Sequence, residues 1–428
     1  MTATEAPVDP ATPDVTDPSD GNDPSIEVPR LAPTAIVGAG AVTGYGWSFD
    51  ALVDGLRGGA SSARAQVVDG IETVAAVIPP TDVGAGVPRF EQVAVAAVDD
   101  ALRDAHARGW TGGARVGVIF CTGIGDIESI RDNYFGDLQP RPSLFPRLLH
   151  TSVGSLLAQA HGWTGPNLVV NAACSSGNAA LQAAQLWLES GLATDVVVAG
   201  TELCIIAEVV AGFRRMRVLL ADGAPADECR PFQQGSRRFF LGEAAAALIL
   251  TGDGDGGAAR GDGRVRRRAT YLGGATTHDA FHLVAPDADG VQLERCYRDA
   301  LAAAGATPDD VGLVKAHGSG TPLNDTVELE VFDRLFGPST QVCSYKPLVG
   351  HAMAMASLLE LTSLLAGYEL GALPAPVTDD PAHARLARGG PPPAGLALCG
   401  SVGLGGANSV AVLDIERSPS TPPGGTPS

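Results

Sequence analysis

Short β-branched runs alternate along the chain with Ala/Leu-rich runs of helical period, a pattern that predicts a layered α/β fold. The runs TAIVGAG, RVGVIFCTG, LVVNAAC, DVVVAGTE, AAAALIL, VGLVKAHGSG, QVCSY and VAVLDI read as strands, and helices are predicted over 94–108, 177–190, 292–304, 326–336 and 352–370. The two halves echo each other. ARVGVIFCTG (114–123) parallels DVGLVKAHGSG (310–320), each a strand ending in a turn of small residues. LVVNAACSSGNAALQAA then parallels QVCSYKPLVGHAMAMASLLEL, a strand feeding a helix through a tight turn. The expectation is an internal duplication with a shared site at its centre.

Composition bounds this picture at both ends. Residues 1–30 hold Pro, Asp, Thr and Ser and almost nothing apolar, so they are expected to be a disordered tail, as are residues 417–428. The Gly-rich TGDGDGGAARGDGR (251–264) reads as a surface loop. It sets the boundary between an N-terminal half, 31–260, and a C-terminal half, 261–416. No run of about 18 apolar residues predicts a membrane-spanning helix, and no basic-then-apolar start predicts a secretory signal. A cytoplasmic protein is the expectation.

The net charge is −19, from 48 acidic and 29 basic residues, and the core without its acidic first segment stays acidic. Nucleic acid is therefore an unsuitable partner, because neutralising phosphates takes an excess of Lys and Arg. The dense basic cluster RVRRR (264–268) is either a solvated loop or a docking patch for an acidic partner. The seven cysteines are scattered without a CxxC, which argues against a zinc ribbon or a disulfide framework.

VGAGAVTGYG (37–46) approaches a dinucleotide fingerprint, but Thr43 stands where the third glycine would be, and close helix packing around a pyrophosphate loses its basis. Cys174 is better placed for chemistry. A strand over 168–172 delivers it to a turn, and a helix begins around Ser175 to Gly177. Free N–H groups and the positive end of the helix dipole favour a thiolate there. A nucleophilic thiol works with histidine. Of the eight histidines, His317 ends a strand within KAHGSGTPLND, and His351 follows a glycine in SYKPLVGHAMAMAS.

These residues resemble the β-ketoacyl synthase (ketosynthase) family of the thiolase fold, most of all its stand-alone fatty-acid and type II polyketide members. The resemblance runs over roughly residues 33–414. NAACSSGNAAL matches the nucleophile turn, KAHGSGTPLNDTVELE the first-histidine motif, KPLVGHAMAMAS the second and GSVGLGGANSVAVLDI the closing turn. It implies two duplicated βαβαβ-type halves in a five-layer α-β-α-β-α arrangement.

The resemblance also implies a role for each matching residue. Cys174 would take an acyl group from a carrier-protein or CoA thioester, and His317 and His351 would stabilise the enolate of a decarboxylating malonyl-type extender. Lys346 and Asp325 would orient that pair, with Glu243 in support. The backbone N–H groups of Cys174 and Leu404 would form an oxyanion hole, and Ser319 and Thr321 would hold a pantetheine arm. No metal or nucleotide is implied. Partners would be an acyl carrier protein and a second chain, in a homodimer or a heterodimer with a related chain. Local charge on an otherwise acidic chain makes FRRMR (213–217) and RVRRR (264–268) candidate carrier-docking patches, Arg266 to Arg268 above all.

Departures from the family pattern bear on the reaction. Leu404 and Val402 replace aromatic gate residues, and QQGSRRFFLGE (233–243) replaces a DRDGF-type segment. Met353 and Met355 stand where smaller residues are usual, Met355 as core filling and Met353 as a pocket residue or core. Ser357 replaces a packing glycine. Such drift points to specialised, polyketide-type metabolism. Two other readings stay open: acyl transfer from Cys174 without decarboxylation, and a non-catalytic chain-length-factor-type partner, which the presence of Cys174 disfavours.

Overall fold

The computed structural model describes residues 28–81, 87–134, 145–220, 226–252, 265–378 and 383–417. Residues 1–27 and 418–428 of the expected tails, most of the Gly-rich loop and Arg264 lie outside them. The first half runs β1 (Thr34–Val42), α1 (Phe49–Gly58), β2 (Arg64–Val68), β3 (Ile71–Ala76), α2 (Arg89–Ala107), β4 (Val116–Cys121), α3 (Ile127–Tyr134) and α4 (Ser152–His161). It continues through β5 (Asn167–Val170), α5 (Ser176–Glu189), β6 (Asp195–Glu202), α6 (Ala207–Arg215), β7 (Leu241–Gly242) and β8 (Ala244–Gly252). The second half runs β9 (Ala269–His278), α7 (Val291–Ala304), β10 (Val311–Lys315), α8 (Pro322–Leu335) and β11 (Gln341–Cys343). It ends with α9 (Lys346–Val349), α10 (Ala356–Leu370), β12 (Leu396–Gly403) and β13 (Ala407–Ile415).

Ten strands line up as β11-β10-β12-β13-β9-β1-β8-β6-β4-β5. The order is a repeat. In each half the first strand pairs with the last, and both innermost ladders are antiparallel. The outer two ladders are parallel in both halves. Three residue pairs, Thr34–Tyr271 to Ile36–Ala269, join β1 to β9 and so join the halves.

Three apolar cores separate the layers. The middle one gathers α1, α5 and α10 between the two halves of the sheet, a second lies under α2 and α4, and the third under α7 and α8. This is the five-layer arrangement. It explains why β6 and β8 are apolar without alternation, since both faces of each strand meet a core. Helix α10 is buried from Ala356 to Tyr368 and has no polar face, as a helix in a central layer requires.

The glycines of VGAGAVTGYG serve packing. A Cβ at Gly38 would lie 2.3 Å from Ala101 O and one at Gly40 2.1 Å from Ala97 O, so α2 lies directly on β1. Strands β9 and β12 were not among the predicted runs; their glycines break the apolar pattern, yet each is paired on both sides. The basic cluster is also corrected. Arg268 is buried, its Nε 2.5 Å from Asp104 Oδ2, with Glu369 as a second partner and the Phe49 ring 4.3 Å away. Arg267 pairs with Glu416, and Arg266 donates to Ala107 O. Arg268 ties α2 to α10 and is withdrawn from the docking patch, whereas Arg266 is exposed.

Helices α5 and α10 touch at Gly177, where an added Cβ would lie 2.5 Å from Leu358 N and 2.7 Å from Leu358 Cβ. Gly177→Ala is expected to lower the unfolding free energy by about 1–3 kcal/mol, read as a lower urea midpoint at unchanged slope. Helix propensity alone predicts the opposite sign, a gain of up to ~1 kcal/mol, so a raised midpoint would mean the contact is loose.

Candidate active site

Strand β5 stops at Val170, earlier than its β-branched run predicts, because the backbone turns over Asn171 to Ala173. Ala173 takes φ +48, a left-handed conformation that costs an alanine energy and must be held by its surroundings. Asn171 Oδ1 accepts from Ala173 N at 3.2 Å, and Ser176 Oγ accepts from Ala172 N at 2.8 Å and donates to Ala173 O at 2.7 Å. Cys174 therefore stands just before the N-terminus of α5, buried but facing a cavity.

Two further bonds fix the turn to the other half of the chain. Ser401 Oγ on β12 donates to Cys174 O at 2.8 Å, and Gly177 N donates to Ser357 Oγ at 2.9 Å. The serine that replaces a packing glycine thus accepts one of the open N–H groups of α5. Gly403 approaches the turn so closely that a Cβ there would lie 3.2 Å from Ala173 Cβ.

Burial pushes the Cys174 thiol up to about 11, against the nearby Lys346 charge and the backbone N–H groups of Leu404 and Cys174, which face the sulfur and lower it. Those two N–H groups are the pair expected to form an oxyanion hole.

His351 Nε2 lies 3.4 Å from Cys174 Sγ. Its Nδ1 accepts from Met353 N at 3.0 Å, so the ring proton resides on Nε2, toward the sulfur. Met353 takes φ +46 to turn its N–H back onto the ring. The small sheet of β2, β3 and β7 braces this turn: Gly242 N donates to His351 O at 3.0 Å and His351 N to Phe240 O at 2.8 Å.

His317 faces His351 edge to face, with ring centroids 5.5 Å apart. Its Nδ1 lies 3.4 Å from Lys346 Nζ, which can only donate, so the proton of His317 is also on Nε2. Burial first, and the Lys346 charge second, hold both histidines well below the usual imidazole range. Both are neutral donors at neutral pH.

Lys346 is fully buried at the start of α9, 2.5 Å from Glu360 Oε1, and also donates to His317 O. Glu360 and Glu328 are absent from the sequence reading. Glu328 Oε1 and Oε2 accept from His317 N at 2.6 Å and Gly318 N at 2.7 Å, fixing the loop from which His317 projects. Glu360 is legible in hindsight as the lone acid in the interior of an otherwise apolar α10. Lys315, at the end of β10, holds its second oxygen at 2.5 Å.

The remaining expected residues divide. Ser319, Thr321, Val402, Leu404 and Met353 all line the cavity of ≈ 280 Å³ that opens from Cys174, and Leu404 is 41% exposed at its mouth. Ser319 Oγ and Thr321 Oγ1 are 2.8 Å apart. Met355 is fully buried against Gly200, as core filling requires. Asp325 does not join the histidine–lysine network; it accepts from Phe232 N and Gly320 N, both at 3.0 Å, and burial pushes its carboxyl up to about 7. Glu243 also lies outside the cavity lining. Its partners are Arg89, at 2.9 and 2.6 Å, and Ile78 N, at 3.0 Å, which tie the start of α2 to β3 and β7. Both acids are supports of backbone rather than of the reacting groups.

Comparison with known proteins bears on this geometry. The family model for the beta-ketoacyl synthase N-terminal domain matches residues 78–255, and that for the beta-ketoacyl synthase C-terminal domain matches residues 268–377. The chain is 31% identical over 281 residues to 3-oxoacyl-[acyl-carrier-protein] synthase 2 of Staphylococcus aureus, covering 64% of this chain and 69% of that one. Among solved structures, the ishigamide ketosynthase/chain length factor superposes with a TM-score of 0.76 at 26% identity, over 90% of this chain and 100% of that one. A type II PKS acyl-carrier protein in complex with its ketosynthase bound to the hexaketide gives a TM-score of 0.78 at 22% identity, over 91% and 100%, which supports the fold. The chain, with its thiol and two histidines set on this duplicated frame, belongs to the β-ketoacyl synthase family of acyltransferases.

Proposed function

We propose that the protein condenses an acyl group held on Cys174 with a malonyl-type extender carried on the phosphopantetheine arm of an acyl carrier protein. The observation that carries this reading is the pair of Nε2–H donors beside one thiol: His351 with its Nδ1 occupied by Met353 N, and His317 with its Nδ1 held by Lys346. Two neutral donors suit an anion that forms during reaction better than they suit a general base.

The steps balance as follows. Cys174 sulfur attacks the incoming acyl thioester, a new C–S bond forms, and the carrier thiol leaves with the proton. The malonyl thioester then loses carbon dioxide, and the electron pair of the broken C–C bond moves onto the thioester oxygen. The histidine donors stabilise that enolate oxygen. Its carbon attacks the acyl carbonyl on Cys174, the oxyanion faces Cys174 N and Leu404 N, and the C–S bond breaks to release the sulfur as thiolate, which regains its proton from solvent water. The product is a β-ketoacyl thioester, two carbons longer when the extender is malonyl itself. Each preorganised donor is worth roughly 3–4 kcal/mol in the transition state.

Ser319 and Thr321, paired along the cavity, suit the amides of a pantetheine arm. The mouth offers Leu404 and Met216, and Val284 nearby is also exposed; in FRRMR the exposed Arg215 and Arg217 flank the lining residue Met216 in sequence, which on an acidic chain suits an acidic carrier. Strand β5 is the edge of the ten-stranded sheet and exposes Leu168, so a second, related chain is the suited occupant there. The seven cysteines are all free and buried, which fits a reducing, cytoplasmic setting. Smaller gate residues, Val402 and Leu404, suit bulkier polyketide-type acyl groups.

Incubation with acyl- and malonyl-loaded carrier, followed by mass spectrometry, is expected to show acyl-Cys174, carbon dioxide and the condensed thioester. Acylation without carbon dioxide release would sink the condensation. Cys174→Ala is expected to lose at least 10³-fold of condensation, while a Cys174→Ala protein that still condensed would overturn the mechanism. A second expectation concerns the resting thiol. Iodoacetamide labelling of Cys174 should keep accelerating with pH up to about 11, and Lys346→Met should move that rise higher; a plateau near pH 8 would mean the thiolate is already formed at rest.

A further inference from the structure

Lys315 takes no part in the steps above, yet it is a fully buried cation two residues before His317. Its Nζ lies 2.5 Å from Glu360 Oε2 and donates to Gly400 O at 2.7 Å. Lys346 holds the other oxygen, Oε1, at the same distance. One lysine already neutralises Glu360. A second buried ammonium carries a large desolvation cost, and an apolar side chain would fill the space without it. Packing alone therefore gives no reason for a lysine here.

The geometry gives two. With Oε2 taken by Lys315, Lys346 meets Glu360 through Oε1 only and keeps donors for His317 O and Nδ1. The bond to Gly400 O anchors β12 one residue before Ser401, whose Oγ holds Cys174 O, and four before Leu404. Charge adds to geometry. The groups around the His317 ring are Lys346 from α9, His351 from the turn after it, Glu328 from α8, Glu360 from α10 and Lys315 from β10. Of these, Lys346, then His351 and last Lys315 oppose a proton on His317, and both lysines also act on His351.

We infer that Lys315 is a positioning residue of the condensation: it shares the Glu360 carboxylate with Lys346 and so keeps Lys346 turned to His317 Nδ1. The inference rests on the decarboxylative reading of the site, and its test separates the two.

Lys315→Met, with similar reach and no charge, and Lys315→Gln, which keeps an N–H donor without the charge, are compared with the unaltered protein. Carbon dioxide release from a malonyl thioester of phosphopantetheine is expected to fall roughly 10- to 100-fold in kcat in both variants, with KM within about threefold. The acid limb of the pH–rate profile should move to higher pH. In NMR titrations without substrate, the ¹⁵N-labelled His317 ring should gain its proton at higher pH in both variants than in the unaltered protein. If the unaltered protein releases carbon dioxide and the variants match it in kcat and in His317 titration, the inference is overturned and the function stands. If the unaltered protein releases none, the function fails, and the titration still decides whether Lys315 sets the state of His317. A kcat loss that follows only loss of folded protein, with His317 unmoved in Lys315→Gln, would make Lys315 structural and overturn the inference.

Discussion

The site depends on the contact between α5 and α10 at Gly177 and Leu358, where no side chain separates the two helices. Cys174 precedes α5, and the turn before α10 carries His351 while its second turn carries Glu360. The distance from Sγ to the imidazole is thus set by how closely two helix backbones pack in the central layer. A packed interior has little slack, so this contact fixes in one step what separate loops would have to hold independently. Ser357, whose Oγ accepts from Gly177 N, adds a polar bond to the same contact.

Burial then decides the chemical state of the groups so placed. It raises the thiol and lowers both histidines, so each of the three groups bordering the cavity is uncharged at rest. The ion-paired groups, Lys346, Glu360 and Lys315, are not part of the cavity lining. Substrate meets neutral donors on a mostly apolar wall, with an ionic cluster one layer deeper. In a low dielectric that cluster acts over several ångströms, and it does so without exposing a cation to water or to the wrong anion.

Much of this was legible in the chain. The apolar runs and their repetition pointed to a layered α/β fold and a duplication, turn context singled out Cys174, His317 and His351, and the family resemblance supplied the five layers and the roles. What was not legible is instructive about mechanism. A run such as LVVNAAC reads as strand to its end, because nothing in an alanine announces the positive φ that Ala173 adopts under three hydrogen bonds. Charge in RVRRR could be counted, but its partners Asp104 and Glu369 are far away in sequence, so Arg268 read as surface. Asp325 lies within a motif that resembles the family, and only the hydrogen bonds show that it carries Phe232 N and Gly320 N while Glu328 carries the histidine loop. Lys315 and Glu360 broke the local pattern visibly: a cation closing an apolar strand and an acid in the middle of an apolar helix. Two misplaced charges on elements that the layer model stacks together are a signal worth reading as a pair.

The two halves of the sheet repeat one strand–turn–helix unit, and the repeated turns do different work. After β5 the turn presents a sulfur; after β11 the equivalent turn presents an ammonium and an imidazole. The same backbone device has become an electrophile carrier in one copy and a proton-donor mount in the other. Neither copy is an incomplete version of the other, and neither has a reaction of its own. Catalysis here is a property of the seam, and a change that slides one half against the other by an ångström alters thiol, donors and ionic cluster together.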